Sequence, residues 1–124
     1  MRPADRSGTP TLAEVVQTAA RASDPDGLED GVAALVQRFE DSDEPVTAPR
    51  DVSETLAEAA GAADPEGEDP AVVMTVAVAT YLAYRRDELD SDRDDLLRLA
   101  ARAEFDGAPP EHVSTWLTDQ GVTV

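Results

Sequence analysis

Between Pro70 and Tyr84 the chain carries no charged side chain, although 27 of its 124 residues are Asp or Glu. That gap limits what the rest of the sequence can do. Val72, Val73, Val76 and Val78, with Thr75 and Thr80, are β-branched and suit a strand, but fifteen residues are too many for one. The ends favour a helix. Asp69 before Pro70 is an N-cap followed by the proline that fits the first helical position, and Arg85 and Arg86 stand where cations meet the negative end of the helix dipole. At about 100° per residue the bulky side chains spread round the whole circumference, which leaves no face for water and requires a helix over 69–86 that other elements surround. At about 1.5 Å per residue the run falls short of the ~30 Å hydrocarbon core of a bilayer. The expected architecture is an all-α, single-domain bundle of five or six helices around this central one.

The flanking sequence supplies the other helices. Residues 1–8 are polar and aperiodic and read as a disordered tail, leaving 9–124 as one helical domain. Thr11 and Glu14 form a capping box, followed by a stripe of Leu12, Val15, Val16 and Ala19 that ends near Ala22. Asp24-Pro25 repeats the start signal for a second helix with Leu28, Val32, Leu35, Val36 and Phe39 inward, closed by Asp41 to Pro45. Gly27 and Gly31 weaken its first turns by about 1 kcal/mol each relative to alanine. A third helix from Arg50 or Asp51 to Ala60 has only Val52, Leu56, Ala59 and Ala60 to contribute, so its layer of core is thin. Ser91 and Asp94 form a box for a fifth helix whose apolar face is Leu96, Leu97, Leu99, Ala100, Ala103 and Phe105. Asp106 to Ala108 is a turn, and Pro109-Pro110 opens a sixth helix with Val113, Trp116 and Leu117, stopped by Gly121.

Two short strings recur in order. Thr11-Leu12-Ala13-Glu14 returns as Thr55-Leu56-Ala57-Glu58, and Asp24-Pro25-Asp26-Gly27 as Asp64-Pro65-Glu66-Gly67. In a chain so rich in these residues, and with the first spacing shortened by four, the recurrence falls below what a repeat architecture requires.

The net charge of -17 would be strongly self-repelling in dilute buffer, whereas at 1 M salt the Debye length falls to about 3 Å and most of the repulsion vanishes. All ten basic residues are arginine, and Lys, Asn and Ile, the residues of AT-rich codons, are absent. In this composition the chain resembles the small acidic proteins of halophilic archaea, which work in molar potassium chloride. The resemblance is to a compositional class, covers the whole chain and implies a cytoplasmic protein of a salt-in organism. Disorder, the other source of such acidity, conflicts with a periodic hydrophobic content of 41%. With no cysteine there is no disulfide framework or thiolate chemistry, and MRPADRSGTP lacks the apolar core of a signal peptide.

Residues that could carry chemistry are sparse. His112 stands four residues before Trp116 on one helical face and has no nucleophile to serve as a base for. Asp90, Asp92 and Asp94 alternate like the first ligands of an EF-hand loop, but Asp95 replaces its glycine and Ala101 its glutamate. No catalytic, cofactor-binding or metal-binding residue is assigned, and no cofactor is expected. The pair of helices over 91–120 resembles a helix-turn-helix in outline. Its second helix carries Glu111, His112, Ser114, Thr115, Thr118, Asp119 and Gln120 and no cation for phosphate, so nucleic acid is disfavoured.

The expected function is that of a non-enzymatic protein–protein interaction or accessory protein, self-associating or docking on a partner through apolar surface that the small outer helices leave uncovered, with no membrane partner. The alternative is a DNA-associated regulator using the last two helices. A continuous apolar patch on the folded protein would favour the first; a basic stripe of Arg93, Arg98 and Arg102 would favour the second.

Overall fold

The computed structural model describes residues 11–40, 49–85 and 92–122, and these form six α-helices and no strand. They are α1 (Leu12–Ser23), α2 (Asp30–Phe39), α3 (Pro49–Ala63), α4 (Pro70–Tyr84), α5 (Arg93–Phe105) and α6 (Glu111–Asp119). All six share one hydrophobic core. The tail over 1–8, the stop over Asp41 to Pro45, Arg86, Asp90 and the Ser91 cap lie outside the described residues.

The capping box at Thr11 forms as its sequence requires: the Thr11 hydroxyl accepts from the Glu14 amide at 3.2 Å, and the Glu14 carboxylate accepts from the Thr11 amide at 3.0 Å. The start of α2 differs from expectation. Asp24 does not open a helix; it closes α1, its amide donating to the Ala20 carbonyl at 2.7 Å. Its carboxylate then accepts from the Leu28 and Glu29 amides, each at 3.0 Å. Those two amides are thereby held in a turn, α2 cannot begin before Asp30, and Leu28 is left 78% exposed instead of buried.

The second Asp-Pro turn is the same object. Asp64 donates to the Ala60 carbonyl at 2.7 Å, its carboxylate accepts from Glu68 at 3.3 Å and from Asp69 at 3.0 Å, and the Gly67 amide donates to the Asp64 carbonyl at 3.1 Å, as Gly27 does to Asp24 at 3.1 Å. Both glycines are left-handed, at φ +67° and +66°, where a β-carbon would be strained. Each helix after the turn begins six residues beyond the aspartate. In this register of forty residues Val32, Leu35 and Phe39 correspond to Val72, Thr75 and Ala79, and all six are buried. The chain thus contains two helical hairpins, α1–α2 and α3–α4, whose turns share one hydrogen-bonding pattern and whose second helices share buried positions. The Thr-Leu-Ala-Glu strings, by contrast, are not equivalent. Thr11 is an N-cap, whereas Thr55 sits inside α3 and donates to the Asp51 carbonyl at 2.9 Å.

The hairpins pack with α1 on α4 and α3 on α2, the pairing that exchange of the two hairpins would produce, and α2 meets α4 near their N-termini. Glu29 and Asp69, corresponding caps, face each other there, and Gly31 explains how they come so close. A β-carbon at Gly31 would stand 2.6 Å from Val72 Cγ2 and 3.2 Å from Asp69 Oδ2. Helix propensity alone would reward Gly31→Ala by about 1 kcal/mol, but crowding a packed contact against a stiff β-branched side chain costs ~1–3 kcal/mol. The expected result is a lower melting temperature by circular dichroism; a higher one would show that α2 and α4 have slack between them.

What distinguishes the second hairpin is what covers it. α5 lies on α4 and α1, and α6 lies on α4. At the positions where α2 shows Ala34, Gln37 and Arg38 to solvent, α4 buries Met74, Ala77 and Val78. This is why one hairpin helix is amphipathic and its counterpart is apolar nearly all round. Thr75, buried in α4, satisfies its hydroxyl by donating to the Ala71 carbonyl at 2.7 Å. α4 therefore is the central helix, with Asp69 as its N-cap accepting from the Ala71 amide at 3.1 Å and Arg85 as its C-cap.

Its enclosure is nevertheless incomplete. Val73, Val76, Thr80 and Tyr81 are half-buried and Tyr84 is 61% exposed, so the expectation that no face meets water is corrected; opposite Val73 and Val76, α3 presents only Ala57, Ala60 and Gly61, too small to close over α4 there.

The last two helices show smaller departures. α5 has Asp92 at its N-cap position and buries Leu96, Leu97, Ala100 and Ala101. Ala103 is exposed because it stands about 90° from the centre of that stripe and its methyl is too short to reach back. Asp106 adopts φ 56° in the turn after Phe105. α6 ends as expected at Gly121: the Val122 amide donates to the Leu117 carbonyl and the Gly121 amide to that of Thr118, both at 2.9 Å, and Val122 is buried beside Leu117. Among the described residues no helix is long and apolar enough to cross a membrane.

Candidate functional site

The uncovered side of α4 is one wall of a groove of about 390 Å³. Val72, Val73, Val76 and Ala77 form that wall, Ala57, Ala60 and Gly61 of α3 the opposite one, and Phe105 at the end of α5 closes one side. The Asp64–Gly67 turn, which joins the two walls, is held at its foot by the hydrogen bonds described above. Its charged lining is Asp64, Glu66 and Glu104, all acidic. An apolar floor with a one-sign rim can bury hydrophobic side chains and attract cations at its edge; it holds no constellation of nucleophile and base.

Two glycines sharpen the geometry. Gly31 is required by the fold, as shown. Gly61 is not: it lies within α3, no left-handed φ demands it, and a β-carbon there would meet nothing within 4 Å. The space beside it is the groove itself.

His112, the residue with the best claim to chemistry in the sequence, reaches from α6 to this turn. Its Nε2 lies 3.0 Å from the Gly67 carbonyl, which fixes the proton on Nε2 in that contact. It therefore tethers the turn to α6. Trp116 on the same face is half-buried against the core. Close by, Glu68 is held above the ordinary glutamate value by a hydrogen bond to the Glu66 carboxyl, by partial desolvation and by the Asp64 charge, against a lowering influence of His112. At the hairpin interface Glu29 is raised by partial desolvation and by Asp69, Asp24 and Asp30.

Of the three arginines that could make a basic stripe, Arg93 and Arg98 are occupied, while Arg102 is exposed. Arg93 donates its Nε to the Ala22 carbonyl at 2.6 Å and a terminal nitrogen to the Gln120 side chain, tying the start of α5 to the ends of α1 and α6, and lies 3.6 Å from Asp94. Arg98 pairs with Asp95. Moreover α6 leans on α4 and not on α5, so the last two helices do not form the mutually packed pair of a helix-turn-helix. Asp92 stands at the N-cap position of α5 without a side-chain hydrogen bond to it, Asp94 lies in the first turn beside Arg93, and among the described residues no group of three or more potential ligands is placed to hold a metal ion.

Of the groove residues, Val73 reads from the sequence as enclosed, Ala57 only as part of a recurring string, and Gly61 carries no reading at all. The available signal was Gly61, a helical glycine with no conformational duty, on the side of α3 already recognised as small. No protein-family model, curated protein or solved structure matches this chain.

Proposed function

We propose that this is a non-enzymatic accessory protein of a salt-in halophile's cytoplasm that works by docking on another protein through the α3–α4 groove. The observation that carries the reading is the groove itself: half-buried Val73, Val76 and Phe105 lie beside exposed Ala57 and Gly61, apolar surface that no described element covers. The acidity of the remaining surface supports the salt-in setting.

The two hairpins provide their own control. Ala57 in the groove corresponds to Gln17 on α1, which is also exposed but does not line the groove. A photo-crosslinking side chain at position 57, in extract at molar potassium chloride, should give one discrete adduct that Val73→Asp removes. The same side chain at position 17 should give none. Identical adducts from both positions, or none from either, would count against docking here.

A further inference from the structure

We infer that the occupant of the groove is an amphipathic helix of a partner protein, with its apolar face on Val73, Val76 and Phe105 and with Arg or Lys residues against Asp64, Glu66 and Glu104. This rests on the docking reading above and adds the shape and charge of what docks. Three observations carry it.

The first is Gly61. A glycine inside a helix costs stability relative to alanine, and the fold draws nothing in return, since the space beside it is empty. With Ala57 and Ala60 it makes a shallow wall at helical spacing, which allows the backbone of another helix to approach closely, as Gly31 allows α2 to approach α4 within the molecule. The second is size. A groove of about 390 Å³ is at the small end for clefts that hold ligands. It suits the few apolar anchors that one helix face presents at i, i+3, i+4 and i+7. The third is charge. Every charged side chain lining the groove is a carboxylate, so cations flanking the anchors are favoured and anions are repelled. A second copy of this chain, at -17 and without lysine, would set acid against acid.

The test uses labelled peptides with leucine at i, i+3, i+4 and i+7, flanked by arginine in one and by glutamate in the other, and a third with serine replacing leucine. They are titrated by fluorescence anisotropy in the lowest potassium chloride that keeps the protein helical, and again at molar salt. The arginine peptide should bind at least about tenfold tighter than the glutamate peptide at the lower salt, with the gap narrowing at the higher as screening grows. The serine peptide should not bind. Gly61→Leu fills the groove while replacing a poor helix former, so it should melt no lower than the parent and weaken the arginine peptide by about tenfold or more. Equal binding of the arginine and glutamate peptides would refute the cationic helix while leaving docking intact. Undiminished binding to Gly61→Leu would place the site elsewhere. Failure of all three peptides would also overturn the inference, and the crosslink at position 57 would then decide whether docking itself survives. A dimer by light scattering that Gly61→Leu dissociates would make the occupant a second copy.

Discussion

Val78→Asp is expected to unfold the protein even in molar potassium chloride, and Val76→Asp to leave it folded. The two side chains stand about 200° apart on α4, and in a helix enclosed on every side both would be fatal. The structure separates them. Val78 is fully buried and its position on α4 corresponds to exposed Arg38 on α2. An aspartate there has no cation or donor to meet, and the cost of an unpaired buried charge, several kcal/mol, is comparable with the whole ~5–15 kcal/mol stability of a domain this size. Val76 is half-buried on the groove wall, where a carboxylate can reach water, so about 1–2 kcal/mol is expected. Circular dichroism melts and size exclusion in high salt distinguish the cases. Loss of the fold in both variants would mean that the groove is closed in solution.

Helicity should rise steeply between dilute buffer and molar potassium chloride. The net charge of -17 is not spread evenly: Asp24, Glu29, Asp30 and Asp69 crowd the hairpin interface, and Asp64, Glu66 and Glu68 crowd the second turn. In dilute buffer the Debye length is about 30 Å, comparable with the whole molecule, and it shrinks to about 3 Å at 1 M. Acid should act in the same direction. Glu29 and Glu68 are both held above the ordinary value of 4.5, so the folded chain binds protons more readily than the unfolded one. Stability should therefore increase as pH falls from neutral into the window just above 4.5 and decrease as pH rises through it. Full helicity and an unchanged melting temperature in dilute buffer would mean that these carboxylates are accommodated without counter-ions.

Some elements were legible because their causes are local. The Thr11–Glu14 box, the Asp69-Pro70 start and the Gly121 stop each depend on hydrogen bonds within a few residues, and all three formed as read. Asp24-Pro25 failed for an equally local reason that the string leaves open: the same carboxylate can cap a helix or close a turn, and here it accepts two amides of the turn. The recurrence was visible as letters, but only hydrogen bonding distinguished the Asp-Pro-x-Gly turns, which are equivalent, from the Thr-Leu-Ala-Glu strings, which are not.

By itself the sequence determined the helical class, most helix ends and the centrality of the uncharged stretch, because hydrophobic periodicity and capping act over one or two turns and an apolar helix has nowhere to go but inside. Where that enclosure stops was decided by tertiary structure. How far α3 closes over α4, whether Gly31 or Gly61 is the glycine the fold needs, and whether Arg93 faces solvent or ties three helices together all depend on neighbours far apart in the chain. The groove is a gap between elements, made by small side chains on one helix and large ones on the next, and such a gap has no signature in either helix alone.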